Sequence, residues 1–113
     1  MGTVYLAFDP ALEREVALKL LPSYLAQDPD FSSRFAREAK TVAGLDHQAI
    51  VAVYDFGEED VWPYFVMRYM RGGSLKDRLA DGPVTLAEAN KIVQRIASAL
   101  DKAHSRGVVH RDL

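Results

Sequence analysis

The stretch 16-VALKLL-21 is the most informative for the fold, because it is an apolar run interrupted by a single cation, Lys19. Its aliphatic residues predict a strand over 15–21, and Pro22 ends that strand. Alternate side chains of a strand share a face, so Lys19 is expected on the same face as Ala17. A mostly buried ammonium group is costly without a partner, and the pattern therefore calls for an anion on the element that faces this strand.

The residues on either side extend this strand into a sheet. Upstream, 3–8 alternates in the manner of a half-buried strand, and Asp9-Pro10 predicts the turn into the next one. Downstream, 50–56 and 62–69 predict two further strands, joined by an acidic turn at 57–60.

A helix is predicted between the second and third strands, from Asp28 to about Ala43, because Asp is a preferred N-cap and the Pro after it suits the first helical position. Glu38 follows Phe35 by three residues and precedes Val42 by four, so it projects from the apolar face of this helix. Its carboxylate would then face the sheet, where Lys19 needs a partner. In the alternative interpretation Lys19 extends to solvent and Glu38 lies at the edge of the apolar stripe. The pattern alone favours neither.

After Tyr69 the pattern changes from strands to helices. Gly72-Gly73 is a flexible break, and Ser74 with Asp77 resembles a short capping box. Thr85 with Glu88 resembles a stronger capping box, which predicts the start of a helix that extends to about Ser105. The predicted apolar stripe of this helix consists of Leu86, Ala89, Val93, Ile96, Ala97, Leu100 and Ala103.

Composition excludes several classes of protein. The 113 residues include 14 Lys and Arg against 16 Asp and Glu, a net charge of −2, which argues against a dedicated nucleic-acid binder. The absence of cysteine excludes disulfides, thiolate metal sites and cysteine nucleophiles. The longest apolar run falls far short of the ~20 residues needed to span a bilayer, and the first residues lack a secretory signal. We therefore expect no membrane segment in this chain and a cytoplasmic location, and a membrane anchor outside this segment is left open.

The triplet His110-Arg111-Asp112 follows two β-branched residues at the exit of the last helix. Asp112 is a candidate general base. Taken alone, the triplet is also typical of a structural loop.

Taken together and in order, five segments resemble a protein kinase domain of the kind found in bacterial serine/threonine kinases of eukaryotic type. Gly2-Thr3-Val4 resembles the end of the glycine-rich loop, and 16-VALK-19 resembles the V-A-I-K strand. Arg37-Glu38-Ala39 resembles the helix that carries the partner of the lysine. Met67-Arg68-Tyr69-Met70 corresponds to the gatekeeper and hinge, and 110-HRDL-113 to the start of the catalytic loop.

The resemblance implies an α+β fold: a kinase-like N-lobe, made of an antiparallel sheet and one helix, followed by the first helices of the C-lobe. Residues 1–70 would form the N-lobe, lacking its first strand and ending in the hinge. Residues 71–113 would supply two C-lobe helices and the beginning of the catalytic loop. The chain is thus expected to be a fragment of a longer kinase.

The function implied by the resemblance is ATP-dependent phosphoryl transfer to serine and threonine hydroxyls of proteins. Lys19 would hold the α- and β-phosphates, Glu38 would hold Lys19, and Asp112 would orient the substrate hydroxyl or accept its proton. The implied ATP-binding residues are Gly2, Val4, Ala17, Lys19, Met67, Arg68, Tyr69 and Met70. No metal ligand is implied within the chain, because the Asn and Asp-Phe-Gly that bind Mg²⁺ in the family would lie beyond Leu113.

Two departures from the family pattern accompany these matches. Arg68 stands where the family usually has an acidic residue, but hinge recognition uses main-chain groups and need not be disrupted. The segment 47-HQAIV-51 keeps only the His, Ile and Val of the family's H-P-N-I-V.

Without metal-binding side chains, the isolated chain is expected to be inactive. One alternative is a non-catalytic, kinase-like binding or regulatory module. Another is an unrelated α+β domain without a nucleotide site.

Overall fold

A computed structural model describes residues 3–109 and shows within them one four-stranded antiparallel sheet and three α-helices. The elements are, in chain order, β1 (Thr3–Asp9), β2 (Arg14–Leu20), a 3₁₀ helix (Ser23–Gln27), α1 (Phe31–Ala43), β3 (Val53–Glu59), β4 (Trp62–Arg68), α2 (Leu75–Ala80) and α3 (Leu86–Ser105). The strand order is β1-β2-β4-β3, so the strand that carries Lys19 is an inner strand of the sheet. The α+β fold expected from the sequence is confirmed.

The tight turn between β1 and β2 is stabilised by its first residue. The carboxylate of Asp9 accepts hydrogen bonds from the backbone N–H groups of Ala11 and Leu12, at 3.0 and 3.3 Å. Aspartate is favoured in turns for this reason, since its side chain satisfies backbone donors that the turn leaves free. The hairpin therefore aligns β1 with β2 along their whole length.

The turn between β3 and β4 begins later than the acidic turn predicted at 57–60. Gly57, Glu58 and Glu59 belong to β3, where they pair with Tyr64, Pro63 and Trp62 of β4. The chain reverses instead at Asp60, which has a positive φ of 55°. Aspartate tolerates this left-handed conformation better than most residues, and the tight turn lets the strands pair almost to their tips.

The beginning of α1 also differs from the prediction. Asp28 does not cap this helix, because its carboxylate accepts from the backbone N–H of Asp30 at 2.9 Å and from Arg34 at 2.9 Å. These bonds form a turn before the helix, which starts at Phe31 with Asp30 as an N-cap without a side-chain bond. The predicted end at Ala43 is confirmed.

The capping box predicted to be the stronger one, at the start of α3, is incomplete, whereas the one at the start of α2 is complete. At α2 the box is complete, because Ser74 accepts from the N–H of Asp77 and the Asp77 carboxylate accepts from the N–H of Ser74. At α3, Thr85 accepts from the N–H of Glu88, but the Glu88 carboxylate accepts from Arg78 at 3.2 Å instead of turning back. The predicted end of α3 at Ser105 is confirmed.

The apolar stripe predicted along α3 is only partly covered. Leu86 and Val93 are 88% and 63% exposed, and the buried residue of α3, Ala99, does not belong to the predicted stripe. The half-buried members of the stripe are Ala89, Ile96, Leu100 and Ala103. The buried apolar residues are Val16, Ala17, Phe35, Ala39, Leu45 and Ala99, together with Pro63. Phe35 and Ala39 belong to α1 and pack against the sheet.

Candidate functional site

One face of the sheet carries most of the residues expected to bind a nucleotide. Directly opposite residues of an antiparallel pair share a face, so the pairing register defines rows of neighbouring side chains. The first row contains Val4, Lys19, Phe65 and Phe56, and the second contains Leu6, Ala17, Met67 and Val53. Residues two positions apart in a strand share a face, which applies to 17 and 19 in β2 and to 65 and 67 in β4. Both rows therefore lie on the same face. The structure thus brings together Val4, Ala17, Lys19 and Met67.

Helix α1 packs against this face beside the row that contains Lys19. Phe35 is 8% exposed, and its ring lies 5.2 Å from that of Phe65 and 6.3 Å from that of Phe56, both in edge-to-face arrangements. Ala39, one turn later, is 1% exposed, so the helix axis lies close to the strands. Since Phe65 pairs directly with Lys19, α1 lies next to the lysine row.

Lys19 and Glu38 do not form an ion pair. The ion pairs found within residues 3–109 join Arg34 to Asp28, Arg71 to Glu15 and Arg78 to Glu88, and none of them involves Lys19 or Glu38. Lys19 is half-buried, as its place in an inner strand predicts, but Glu38 is exposed. The compensation of one by the other, which the sequence pattern suggested, is therefore absent from this structure.

Glu38 lies at the junction of two grooves. One contains Leu21 and Phe65 from the sheet face. The other is formed by α1 and by the chain that leaves α3, and it is lined by Val108 and Val109. Gly107 takes a positive φ of 80° and Val108 donates to the carbonyl of Ala103 at 2.9 Å, so the chain turns back at the end of α3 and continues alongside α1. The segment that precedes Asp112 therefore approaches the helix that carries Glu38.

The expected hinge follows β4 directly. The backbone N–H of Arg68 donates to the carbonyl of Ala52 at 3.0 Å, which fixes the end of the strand against the segment before β3. The carbonyl of Met70 accepts from the N–H of Gly73 at 3.4 Å, and Gly73 has a positive φ of 80°. The chain thus bends sharply between Met70 and Ser74 before α2 begins.

Gly2, His110, Arg111 and Asp112, the remaining residues singled out in the sequence, lie outside the described residues. Within 3–109 no group of three or more His, Asp or Glu side chains is arranged to hold a metal ion. In the same range, no helix combines the length and the apolar character that crossing a membrane requires.

Two contacts between distant parts of the chain were not anticipated from the sequence. Arg71 binds Glu15, 56 positions earlier in the chain, at 2.8 Å, and the Nε2 atom of His47 lies 2.9 Å from the hydroxyl of Ser98 in α3. The Nδ1 atom of His47 accepts from the N–H of Ala49 at 2.9 Å, so Nε2 carries the proton and donates to Ser98. The sequence feature that could have predicted the second contact is the His that 47-HQAIV-51 shares with the family's H-P-N-I-V. Neither charge pattern nor periodicity points to the first.

Comparison with known proteins places these observations in a family. A family model described as the protein kinase domain matches residues 1–113. PknJ, a serine/threonine-protein kinase of Mycobacterium tuberculosis, is 46% identical over 113 residues, which cover 100% of this chain and 19% of PknJ. PrkC, a serine/threonine-protein kinase of Bacillus subtilis, is 47% identical over 114 residues, which cover 100% of this chain and 18% of PrkC. The chain thus spans about a fifth of the length of these relatives.

Solved structures agree with the sequence matches. The crystal structure of the Mycobacterium tuberculosis PknI kinase domain superposes on this chain with a TM-score of 0.87 at 39% identity, covering 100% of this chain and 46% of that one. A complex of Rad53 residues 1–466 with AMP-PNP superposes with a TM-score of 0.87 at 30% identity, over 99% of this chain and 29% of that one. The four-stranded sheet and its helix correspond to the N-lobe of the PknI domain.

Proposed function

Because this chain belongs to the protein kinase family, we propose that it forms the nucleotide-binding part of an enzyme that transfers phosphate from ATP to serine and threonine hydroxyls of proteins. The observation that carries this proposal is the sheet face that Val4, Ala17 and Met67 share with Lys19, with the hinge at the end of the same strand as Met67. It combines an apolar surface for a planar base with one half-buried cation for phosphates.

The apolar residues and the lysine have separate tasks in this proposal. Val4 and Ala17 cover one side of the adenine, and Met67 closes the back of the cleft. The backbone groups of Arg68, Tyr69 and Met70 bind the adenine edge. The N–H of Arg68 is already used by Ala52, so the hinge would offer the carbonyl of Arg68 and the N–H of Met70. Gly2 would approach the phosphates through its backbone, where a side chain would obstruct them.

Lys19 and Glu38 would act together only after a change in their relative position. The ammonium group of Lys19 would bind the α- and β-phosphates, and the Glu38 carboxylate would hold the ammonium in place. Asp112 would orient the substrate hydroxyl or accept its proton. Mg²⁺ supplies charge neutralisation at the phosphates when bound, and we propose that residues outside 3–109 hold it. On this proposal residues 1–70 and 71–113 belong to the two lobes, and residues 1–113 alone transfer no phosphate.

The test is phosphate transfer from labelled ATP to serine and threonine of a protein substrate, by the natural protein that carries this sequence. Replacing Lys19→Met, or Asp112→Asn, is expected to lower kcat/KM by at least about a hundredfold, because each removes a group that stabilises the transition state. Lys76→Met is the matched control, since Lys76 is an exposed lysine on α2, away from the sheet face, and should retain activity.

Equal activity of the wild type and the Lys19→Met variant would refute the assignment. A second candidate function, a kinase-like module that binds nucleotide without catalysis, is favoured by the absence of a Lys19–Glu38 ion pair. Under that alternative the natural protein would bind a fluorescent ATP analogue, and Lys19→Met would weaken binding, but no phosphate would be transferred.

A further inference from the structure

An ion pair connects the sheet to the segment that follows the hinge. The Nη2 atom of Arg71 lies 2.8 Å from Oε2 of Glu15. Glu15 precedes Ala17 by two positions in β2, so the two side chains share the sheet face proposed to cover the nucleotide. Arg71 follows the end of β4 by three positions and precedes the bend at Gly73. The bond therefore spans the outer end of the cleft, from its roof to the chain that leaves the hinge.

We propose that Glu15 and Arg71 are positioning residues that set the separation between the roof of the nucleotide cleft and the hinge. This proposal rests on the proposed function and concerns the same site. The adenine would have to fit between Ala17 and the hinge backbone, and both partners of the ion pair lie within three positions of one of those surfaces. A contact that fixes the two surfaces before the nucleotide arrives reduces the conformational freedom lost on binding, and so strengthens binding.

A second contact orients the arginine. The guanidinium carbon of Arg71 lies 5.5 Å from the centre of the Tyr69 ring, within the range of a cation–π interaction. Tyr69 is the middle residue of the hinge and is half-buried. The planar guanidinium thus contacts the Glu15 carboxylate on one side and a hinge side chain on another. A lysine would keep the charge but lose the planar, forked geometry that serves both contacts.

The exposure of the pair limits the size of its effect. The side chains of Arg71 and Glu15 are 73% and 39% exposed, so solvent screens their attraction. Exposed ion pairs of this kind contribute little, and we expect the loss of either partner to raise the KM for ATP by about two- to fivefold. The value of kcat should change by less than that, because neither side chain is proposed to touch the transferred phosphate.

The experiment measures KM for ATP and kcat in the natural protein for Glu15→Ala, Arg71→Ala and the exchanged pair Glu15→Arg/Arg71→Glu. Each single variant should raise KM, and the exchange should bring it back towards the wild-type value. The matched control is Arg78→Ala, which breaks an ion pair of similar exposure, 3.2 Å between Arg78 and Glu88, that joins α2 to α3 and does not cross the cleft. Its KM should equal that of the wild type.

Unchanged KM in both single variants would overturn the proposal, and so would an equal rise in Arg78→Ala or a failure of the exchanged pair to lower KM. The proposed function is tested separately, by the activity of the wild-type protein. If the wild type transfers no phosphate, that function is refuted, and the dissociation constant for a fluorescent ATP analogue replaces KM in the same four variants. A wild type that neither transfers phosphate nor binds the analogue overturns both proposals.

Discussion

Replacing Phe35 by alanine should loosen α1 from the sheet more than any other single truncation in this helix. Phe35 is 8% exposed, and its ring contacts three other phenylalanine rings, those of Phe31, Phe56 and Phe65, at centroid distances of 5.5, 6.3 and 5.2 Å. Two of these partners lie in different strands, so this one side chain connects α1 to both β3 and β4. Its loss would therefore weaken the attachment of the helix that carries Glu38.

The expected cost follows from burial and ring geometry. Truncation of a buried phenylalanine to alanine destabilises by about 3–5 kcal/mol, and each well-oriented aromatic pair accounts for about 0.5–1.5 kcal/mol beyond the buried area. A groove that opens beside Phe35 lets neighbouring side chains relax into the space, which favours the lower end of the range. We therefore expect a loss of about 3 kcal/mol, or roughly a 150-fold rise in the opening equilibrium.

Amide hydrogen exchange in the natural protein measures this opening locally. Amides of α1 and β4 whose exchange requires α1 to detach should exchange roughly 150-fold faster in Phe35→Ala, whereas those of α3 should change little. Tyr24→Ala is the control, because that aromatic ring is 65% exposed and its removal should cost less than about 0.5 kcal/mol. Less than a tenfold rise in Phe35→Ala, or the same rise in Tyr24→Ala, would refute the reasoning.

Two further predictions concern a glycine that lies against a tyrosine side chain and a helix cap. Gly57→Ala should destabilise β3–β4 by about 1–3 kcal/mol in the same exchange experiment, because a Cβ atom there would lie 2.8 Å from Oη and 3.1 Å from Cζ of Tyr64; wild-type exchange in this hairpin would contradict it. Hydrogen bonds from the backbone and side chain of Ser74 lower the pKa of Asp77 from its ordinary value of 3.8, so the stability that this cap gives α2 is present above about pH 4 and is lost as the pH falls through the lowered value. Protection of the α2 amides, corrected for intrinsic exchange, should show this loss in the wild type and in Asp81→Asn but not in Asp77→Asn.

Local patterns in the sequence predicted the elements that depend on local physics. The range of α3, the complete cap at Ser74 and the strand position of Lys19 all follow from side-chain periodicity or from contacts over three or four residues. The errors arose where a competing contact, outside the pattern used for the prediction, decided the outcome. Asp28 was assigned to the helix as its cap, but an Arg34 side chain and a turn compete for the same carboxylate.

The register of β3 required information that a single strand does not contain. Its pairing with β4 shifts between Val53 and Asp55, so that one residue, Tyr54, is left without a direct partner in β4. Tyr54 lies beneath the guanidinium of Arg14, whose carbon is 3.7 Å from the ring centre. This contact joins β3 to the beginning of β2, and no spacing within 50–56 indicates it. The strand begins at Val53, three residues later than the apolar run that predicted it.

The unpaired state of Lys19 and Glu38 has a geometric explanation in α1. Successive residues of a helix are rotated by about 100°, so Glu38 lies about 60° from Phe35 and about 100° from Ala39 around the axis. Phe35 and Ala39 are the buried residues of this helix, and they define the side that contacts the sheet. Glu38 consequently lies at the edge of the apolar stripe and is exposed, as the second interpretation of the sequence held. Pairing with Lys19 then requires α1 to rotate or shift towards the lysine row, and the Phe35 contacts with β3 and β4 are the ones that such a movement must rearrange.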